Sequence, residues 1–106
     1  TERIVYQQIE RMRSGQEMFS TVDELAHEAH LSRVHYSRCF KRITGVSPNL
    51  FLIQQRIDKA CMLLKGSDSP LDQIAETIGY NDTFFFCRQF KKHMKESPHQ
   101  YRLRNR

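Results

Sequence analysis

The chain contains an internal repeat, and this repeat strongly limits the folds that the sequence can adopt. Residues 22–31 align with residues 71–80 at an offset of 49, and residues 37–48 align with residues 87–98 at an offset of 50. The second copy therefore has one extra residue in its turn. Each copy has the pattern of a short helix, a tight turn and a longer helix, and ends in Ser-Pro. This order predicts two helical pairs of the same build.

Hydrophobic spacing and capping residues predict seven helices and no strand, so we expect an all-α fold. Thr21 and Glu24 form a capping-box pattern, and Ser32 is placed to cap the next helix. Gly15 and Gly45 are placed to end helices. The predicted helices cover about 2–13, 22–29, 33–44, 48–65, 71–78, 82–94 and 98–103.

We predict two helix-turn-helix subdomains joined by a long central helix. Residues 1–47 are assigned to the first subdomain, residues 48–65 to the linker helix and residues 66–106 to the second subdomain. The first residue is Thr1 rather than Met, which we interpret as the start of an excised fragment. No segment has the length and apolarity of a membrane span, and no signal peptide is evident. We therefore expect no membrane partner.

The three cysteines indicate the cellular compartment. Cys39, Cys61 and Cys87 are odd in number and contain no close pair, which argues against a disulfide framework. Free thiols are typical of a reducing environment, so we expect a cytoplasmic protein. We expect Cys39 and Cys61 to be small core residues and Cys87 to be exposed.

Basic residues are concentrated in the second helix of each repeat and after it. The formal net charge is +5. There are four basic residues and no acid between positions 33 and 42, and seven basic residues and one acid between positions 88 and 106. A clustered positive charge of this kind indicates an anionic partner more strongly than the modest net charge does.

Helical periodicity divides the second helix of each repeat into an inward and an outward face. The inward faces carry Tyr36, Cys39, Phe40 and Ile43 in the first helix, and Phe86, Phe90 and Met94, with Phe85 beside them, in the second. The outward faces carry Arg33, Val34, Ser37, Arg38 and Lys41 in the first helix, and Thr83, Phe84, Cys87, Arg88 and Lys91 in the second. The outward residues have the same spacing in both helices. A repeat that served only to pack helices together would not require arginine and lysine at the same outward positions.

The outward residues carry chemistry suited to double-stranded DNA. Arg38 and Arg88 can each form two hydrogen bonds with guanine O6 and N7. Val34 and Phe84 are apolar on a face that solvent would favour as polar, and contact with a thymine methyl group would explain them. We expect phosphate contacts from five further basic residues, Arg33, Lys41, Arg42, Lys91 and Lys92.

Three other classes of function remain as alternatives. A helical protein-interaction module would have exposed apolar stripes and binding that salt does not weaken steeply. RNA is a weaker alternative because the A-form major groove excludes side chains. An enzyme or metal site could use His27, His30 and His35, but these lack a convergent cysteine or carboxylate partner. We therefore expect no enzymatic activity, no metal and no cofactor.

Four motifs occur in a fixed order along the chain. They are Ile74-Ala75-x-x-Ile78-Gly79-Tyr80, Phe85-Phe86-x-x-x-Phe90-Lys91-Lys92, Ser97-Pro98-x-x-Tyr101-Arg102 and, in the middle helix, Arg56-Ile57-x-x-Ala60-x-x-Leu63-Leu64. With these motifs and the first repeat, the sequence resembles the arabinose-regulator family (AraC/XylS-type transcription regulators). The resemblance runs from about Ile4 to Arg102.

The resemblance implies a bacterial regulator whose two helix-turn-helix subdomains bind adjacent major-groove segments as a monomeric unit. It also implies transcription activation, with RNA polymerase as a partner and an N-terminal sensor or dimerisation domain outside this chain. By position, the family's base-reading residues fall on Val34, Ser37, Arg38, Thr83, Phe84, Cys87 and Arg88. Lys95 stands where the family usually has glycine, and Gly45 occupies the equivalent position in the first repeat. We therefore expect the second helix of the second repeat, which we call the second recognition helix, to end differently from that of the first repeat.

Overall fold

The computed structural model describes residues 1–14 and 21–105, and within them the chain forms seven helices and no strand. The all-α prediction is confirmed. The helices are α1 (Glu2–Arg13), α2 (Val22–Glu28), α3 (Arg33–Thr44), α4 (Pro48–Gly66), α5 (Leu71–Thr77), α6 (Thr83–Met94) and α7 (Pro98–Arg104). The predicted stop at Gly15 lies outside the described residues.

The chain divides into two compact units, residues 1–55 and residues 56–106, and the division falls within α4. Each unit contains one helical pair of the repeat: α2 and α3 in the first unit, α5 and α6 in the second. The assignment of residues 48–65 to a separate linker helix stays a prediction.

The core of the first unit is built from α1, α2, α3 and the start of α4. Tyr36 and Phe40 are fully buried, and the Phe40 ring meets Phe51 edge to face at 5.3 Å between centroids. The other buried residues of this core are Val5, Ile9, Met12, Val22, Leu25, Ala26, Ala29, Cys39 and Leu52. Because the buried side chains of α3 lie on one stripe, the opposite stripe of this helix remains in solvent.

Gln8, a fully buried polar residue, joins α1 to the first helical pair. Its Nε2 donates to the Leu25 carbonyl at 2.9 Å and to Glu28 Oε1 at 2.8 Å. Its Oε1 accepts a hydrogen bond from the Tyr36 hydroxyl at 2.9 Å. A buried amide costs free energy unless its donors and acceptors are paired, and here both ends of the amide are paired.

A series of aromatic contacts forms much of the second core. The Phe86 ring lies 5.4 Å from Tyr80 and 5.9 Å from Phe90, and Phe90 meets Tyr101 at 5.6 Å. Arg102 closes the end of α4, since its Nε donates to the Leu64 carbonyl at 3.1 Å. A cation at this place stabilises the carbonyls that a helix C-terminus leaves unpaired.

The turn inside each helical pair has the same backbone conformation. His30 has φ 59° and Gly79, at the equivalent position, has φ 96°. The residue after each returns a hydrogen bond to the small residue of the first helix, from Leu31 to Ala26 at 3.0 Å and from Tyr80 to Ala75 at 2.8 Å. Since α2 ends at Glu28, His27 lies on this helix and His30 lies in the turn that follows it.

The second helix of each pair also ends in the same way. Gly45 has φ 87° and Lys95 has φ 66°, both in the left-handed region. Their amides bind the carbonyls of Lys41 at 2.7 Å and Lys91 at 2.8 Å. The expected difference at Lys95 is therefore absent, because the Lys95 backbone adopts the left-handed conformation and makes the same capping hydrogen bond as Gly45.

Candidate nucleic-acid interface

Side-chain caps set the start of α3 and of α6, the second helix of each repeat. Ser32 Oγ accepts a hydrogen bond from the His35 amide at 3.1 Å, and Asp82 Oδ1 accepts one from the Phe84 amide at 2.8 Å. The predicted helix start at Asp82 is thus corrected by one residue, since Asp82 caps α6 from outside. Buried rings on the opposite face of each helix fix which residues point outward.

The predicted base-contact residues lie on one face of each helix. Val34 and Phe84 are 63% and 77% exposed, which is high for apolar side chains. Arg38 and Arg88 are exposed one helical turn later. The remaining three predicted base contacts, Ser37, Thr83 and Cys87, are half-buried. Within each unit the structure therefore brings together an apolar and a cationic side chain on the exposed face.

Most of the cationic side chains on these faces have no carboxylate partner among the described residues. Across residues 1–14 and 21–105, no ion pair involves Arg38, Lys41, Arg88, Lys91 or Lys92, and all five are exposed. Their charge is therefore available to an anion. In water such a surface attracts phosphate through long-range electrostatics that salt screens.

Two of the predicted phosphate contacts are ion-paired within the first unit. Arg33 Nη1 lies 2.9 Å from Asp23 Oδ1, and Arg42 is paired with Glu2. All four side chains are more than half exposed. Exposed pairs contribute only about 0–1 kcal/mol, so a phosphate group can replace the carboxylate at little cost. The sequence pattern contained no signal for these pairs, because they join separate helices.

Phe85 departs from the predicted orientation. It was expected beside the inward residues, but it is 47% exposed. Its ring contacts Tyr80 at 5.9 Å between centroids, and the guanidinium carbon of Arg88 lies 5.9 Å from its centroid. Three successive phenylalanines on a helix point 100° apart, so only one of them can enter the core fully. Phe86 is that residue.

The histidines and cysteines are the residues with potential metal-binding or nucleophilic chemistry. Within the described part of the chain, no group of three or more His, Cys, Asp or Glu could hold a metal ion. Cys39 is buried as predicted, whereas Cys61 and Cys87 are half-buried. Burial raises the pKa of both half-buried thiols, which lowers the fraction of reactive thiolate.

No helix in the described ranges is both long and apolar enough to cross a bilayer.

A family model described as a helix-turn-helix domain matches residues 25–104 of the chain. Among curated proteins, the MmsAB operon regulatory protein of Pseudomonas aeruginosa is 36% identical over 85 residues. That match covers 80% of this chain and 28% of the relative. The chain therefore spans less than a third of the length of this relative.

Solved structures with the same fold include one domain of a response regulator and one DNA-binding domain of a transcriptional factor. The C-terminal domain of AraT, a response regulator from Geobacillus stearothermophilus, has a TM-score of 0.86 and 33% identity, covering 97% of this chain and 85% of that one. The DNA-binding domain of the global transcriptional factor AdpA, solved in complex with a target DNA, has a TM-score of 0.78 and 29% identity. That match covers 95% of this chain and 87% of the other.

Proposed function

Because the chain belongs to the AraC-type helix-turn-helix family of DNA-binding transcription regulators, we propose that α3 and α6 read base pairs in two adjacent major-groove segments. The observation that carries this proposal is the matched outward face of the two helices. Val34 with Arg38, and Phe84 with Arg88, place an exposed apolar side chain and an exposed arginine one turn apart. The DNA complex of the related AdpA domain supports it.

The arginines supply the first part of the recognition. Arg38 and Arg88 each donate two hydrogen bonds to O6 and N7 of a guanine, a pattern that no other base pair presents in the major groove. Neither arginine must give up an ion pair with a described residue to do so. Guanine recognition therefore costs the hydration and the conformational freedom of each guanidinium, and no ion pair with a described residue.

Apolar and small polar residues supply the other proposed base contacts. Val34 and Phe84 contact thymine methyl groups, since burying these exposed side chains against a methyl removes apolar surface from water. Ser37 and Thr83 offer hydroxyl groups that act as donor or acceptor, and the Cys87 thiol is a weak donor beside them. Their half-buried positions limit these three to short-range contacts with the groove.

Phosphate contacts from five basic side chains set the register of each helix on the duplex. Lys41, Lys91 and Lys92 bind directly, while Arg33 and Arg42 exchange their carboxylate partners for phosphates. These contacts carry no sequence information, and they make binding salt-dependent because each releases condensed counterions. No metal or cofactor is needed for this chemistry.

We further propose that the full-length regulator activates transcription through contact with RNA polymerase in the cytoplasm. A sensor or dimerisation domain N-terminal to this chain would control it. This proposal rests on the family and on the fraction of the MmsAB regulator, 28%, that the chain spans.

Fluorescence anisotropy with labelled duplexes tests the proposed function. The purified chain should bind a selected duplex about 10³-fold or more tightly than a random duplex at physiological salt. With five phosphate contacts, its affinity should fall by about 10²- to 10³-fold between about 50 and 200 mM salt. Equal affinity for both duplexes, or binding that is indifferent to salt, would favour a protein-interaction module instead.

A further inference from the structure

Four side chains of the second unit form a series in which two aromatic rings lie between two arginines. The guanidinium carbon of Arg56 lies 5.6 Å from the Tyr80 ring centroid, and the Tyr80 and Phe85 rings are 5.9 Å apart. The guanidinium carbon of Arg88 lies over the Phe85 ring at 5.9 Å. Phe85 is thus the link between the core and the proposed guanine-reading arginine.

The core does not require Phe85 as a packing residue. Phe86 and Phe90 are fully buried and fill the inward face of α6, whereas almost half of Phe85 remains in solvent. Tyr80, on which Phe85 rests, is buried and its hydroxyl is hydrogen-bonded to Gln89. Phe85 therefore lies on a fixed support and presents its ring to Arg88.

Steric confinement does not hold Arg88 in place. An open depression of about 190 Å³ is lined by Phe85, Arg88, Gln89 and Lys92, which lie on one face of α6. The guanidinium has room to move into this space, yet in the structure it lies over the Phe85 ring, three residues earlier on the same helix face. At 5.9 Å from the ring centroid, the guanidinium is within the distance of about 6 Å at which cation–π attraction acts.

We propose that Phe85 is a positioning residue for Arg88, and the proposal rests on the base-reading role assigned to Arg88 above. A cation–π contact with a ring does not use the guanidinium's N–H donors in conventional hydrogen bonds, so these donors remain available to a guanine. Holding the side chain before DNA arrives reduces the conformational entropy that is lost on binding. The second recognition helix therefore discriminates guanine more strongly than the first does.

The first repeat offers an internal comparison. His35 occupies the position equivalent to Phe85, and Leu31 occupies the position equivalent to Tyr80. Among the residues that the structure describes, no ring forms a cation–π contact with Arg38. Arg38 consequently has no positioning ring of the kind that Arg88 has.

The test compares Phe85→Leu, which keeps an apolar side chain without a ring, with Phe85→Tyr, which keeps the ring. Binding is measured to the selected duplex and to the same duplex with adenine in place of the guanine that Arg88 contacts. We expect Phe85→Leu to reduce guanine-over-adenine discrimination by about two- to fivefold, while Phe85→Tyr retains it. In an Arg88→Ala background, Phe85→Leu should cause no further loss of discrimination.

Two other results would overturn the proposal, and they have different meanings. If Phe85→Leu weakens all duplexes equally, or acts as strongly in the Arg88→Ala background, Phe85 is only a structural residue and the proposed function stands. If Arg88→Ala itself leaves discrimination unchanged, the base-reading role of Arg88 fails as well. In the free protein, Phe85→Leu should also remove the ring-current shift of the Arg88 δ-protons, with unfolding temperature as the folding control.

Discussion

At the scale of single residues, the exposed arginines of the two recognition helices carry the most specific prediction. Arg38→Ala and Arg88→Ala should each weaken binding to the preferred duplex by about 1–3 kcal/mol and relax the preference at one base pair. Anisotropy titrations against duplexes substituted at single positions measure both effects.

The unfolding temperature is the control for these variants, because exposed residues contribute little to stability. A uniform loss of affinity across all substituted duplexes would assign the two arginines to phosphates rather than to bases.

Lys95 leads to a prediction about stability. It has φ 66°, a left-handed conformation that disfavours a side chain with a Cβ. Lys95→Gly should raise the free energy of unfolding by about 0.5–1 kcal/mol, measured by urea denaturation. Its side chain donates to the Lys92 carbonyl at 3.3 Å, an exposed contact that is worth little.

Gly45 provides the matched control for Lys95. It has φ 87°, and a Cβ at this position would meet no atom within 4 Å. Gly45→Ala should therefore cost about 1 kcal/mol through the backbone alone. If both substitutions shift stability in the same direction, the left-handed conformation is not the cause.

At the scale of helices, the contact of α1 with α2 gives stability a pH dependence. Glu28 has a lowered pKa, because its carboxylate accepts hydrogen bonds from Gln8 and Arg11. Because the pKa of Glu28 in the folded protein is below its ordinary value of 4.5, the stabilisation by these hydrogen bonds is fully present above pH 4.5. It is lost as the pH falls through the pKa of the folded state.

We therefore expect the free energy of unfolding to decrease below pH 4.5, and Glu28→Gln to reduce that decrease. Denaturation at a series of pH values measures it. If the free energy of unfolding of Glu28→Gln changes with pH as steeply as that of the parent protein, the hydrogen bonds of Glu28 with Gln8 and Arg11 do not persist in solution.

The helices themselves could be predicted closely from the sequence, while several of their contacts could not. Caps such as Thr21, whose hydroxyl accepts from the Glu24 amide at 3.1 Å, are local and leave a signal in the sequence. Gln8 is different, since its burial depends on partners from two other helices. Periodicity places Phe86 in the core and Phe84 outside it correctly, but it does not determine how far Phe85, at the edge of the buried face, enters the core.

For the candidate site, the repeat was the informative signal. It predicted which face of α3 and α6 lies in solvent, and the exposure of Val34, Arg38, Phe84 and Arg88 agrees. It did not reveal the ion pairs of Arg33 and Arg42, because pairing between helices depends on tertiary proximity.

At the scale of the whole molecule, the distribution of charge predicts how salt affects binding. Lys41→Ala should weaken all duplexes alike and reduce the slope of log affinity against log salt by about one unit, as expected for the loss of one phosphate contact. Arg13→Ala removes the same charge from an exposed site outside both repeats and is the control. An identical change of slope in both variants would indicate a general effect of net charge.

Selection of bound duplexes from a random DNA library tests the central claim most directly, because it examines both repeats at once. The account predicts a motif with two conserved blocks, each containing a guanine, and predicts that Arg38→Ala and Arg88→Ala each lose the preference in a different block. A library that shows no enrichment, or variants that both select the unchanged motif, would contradict it.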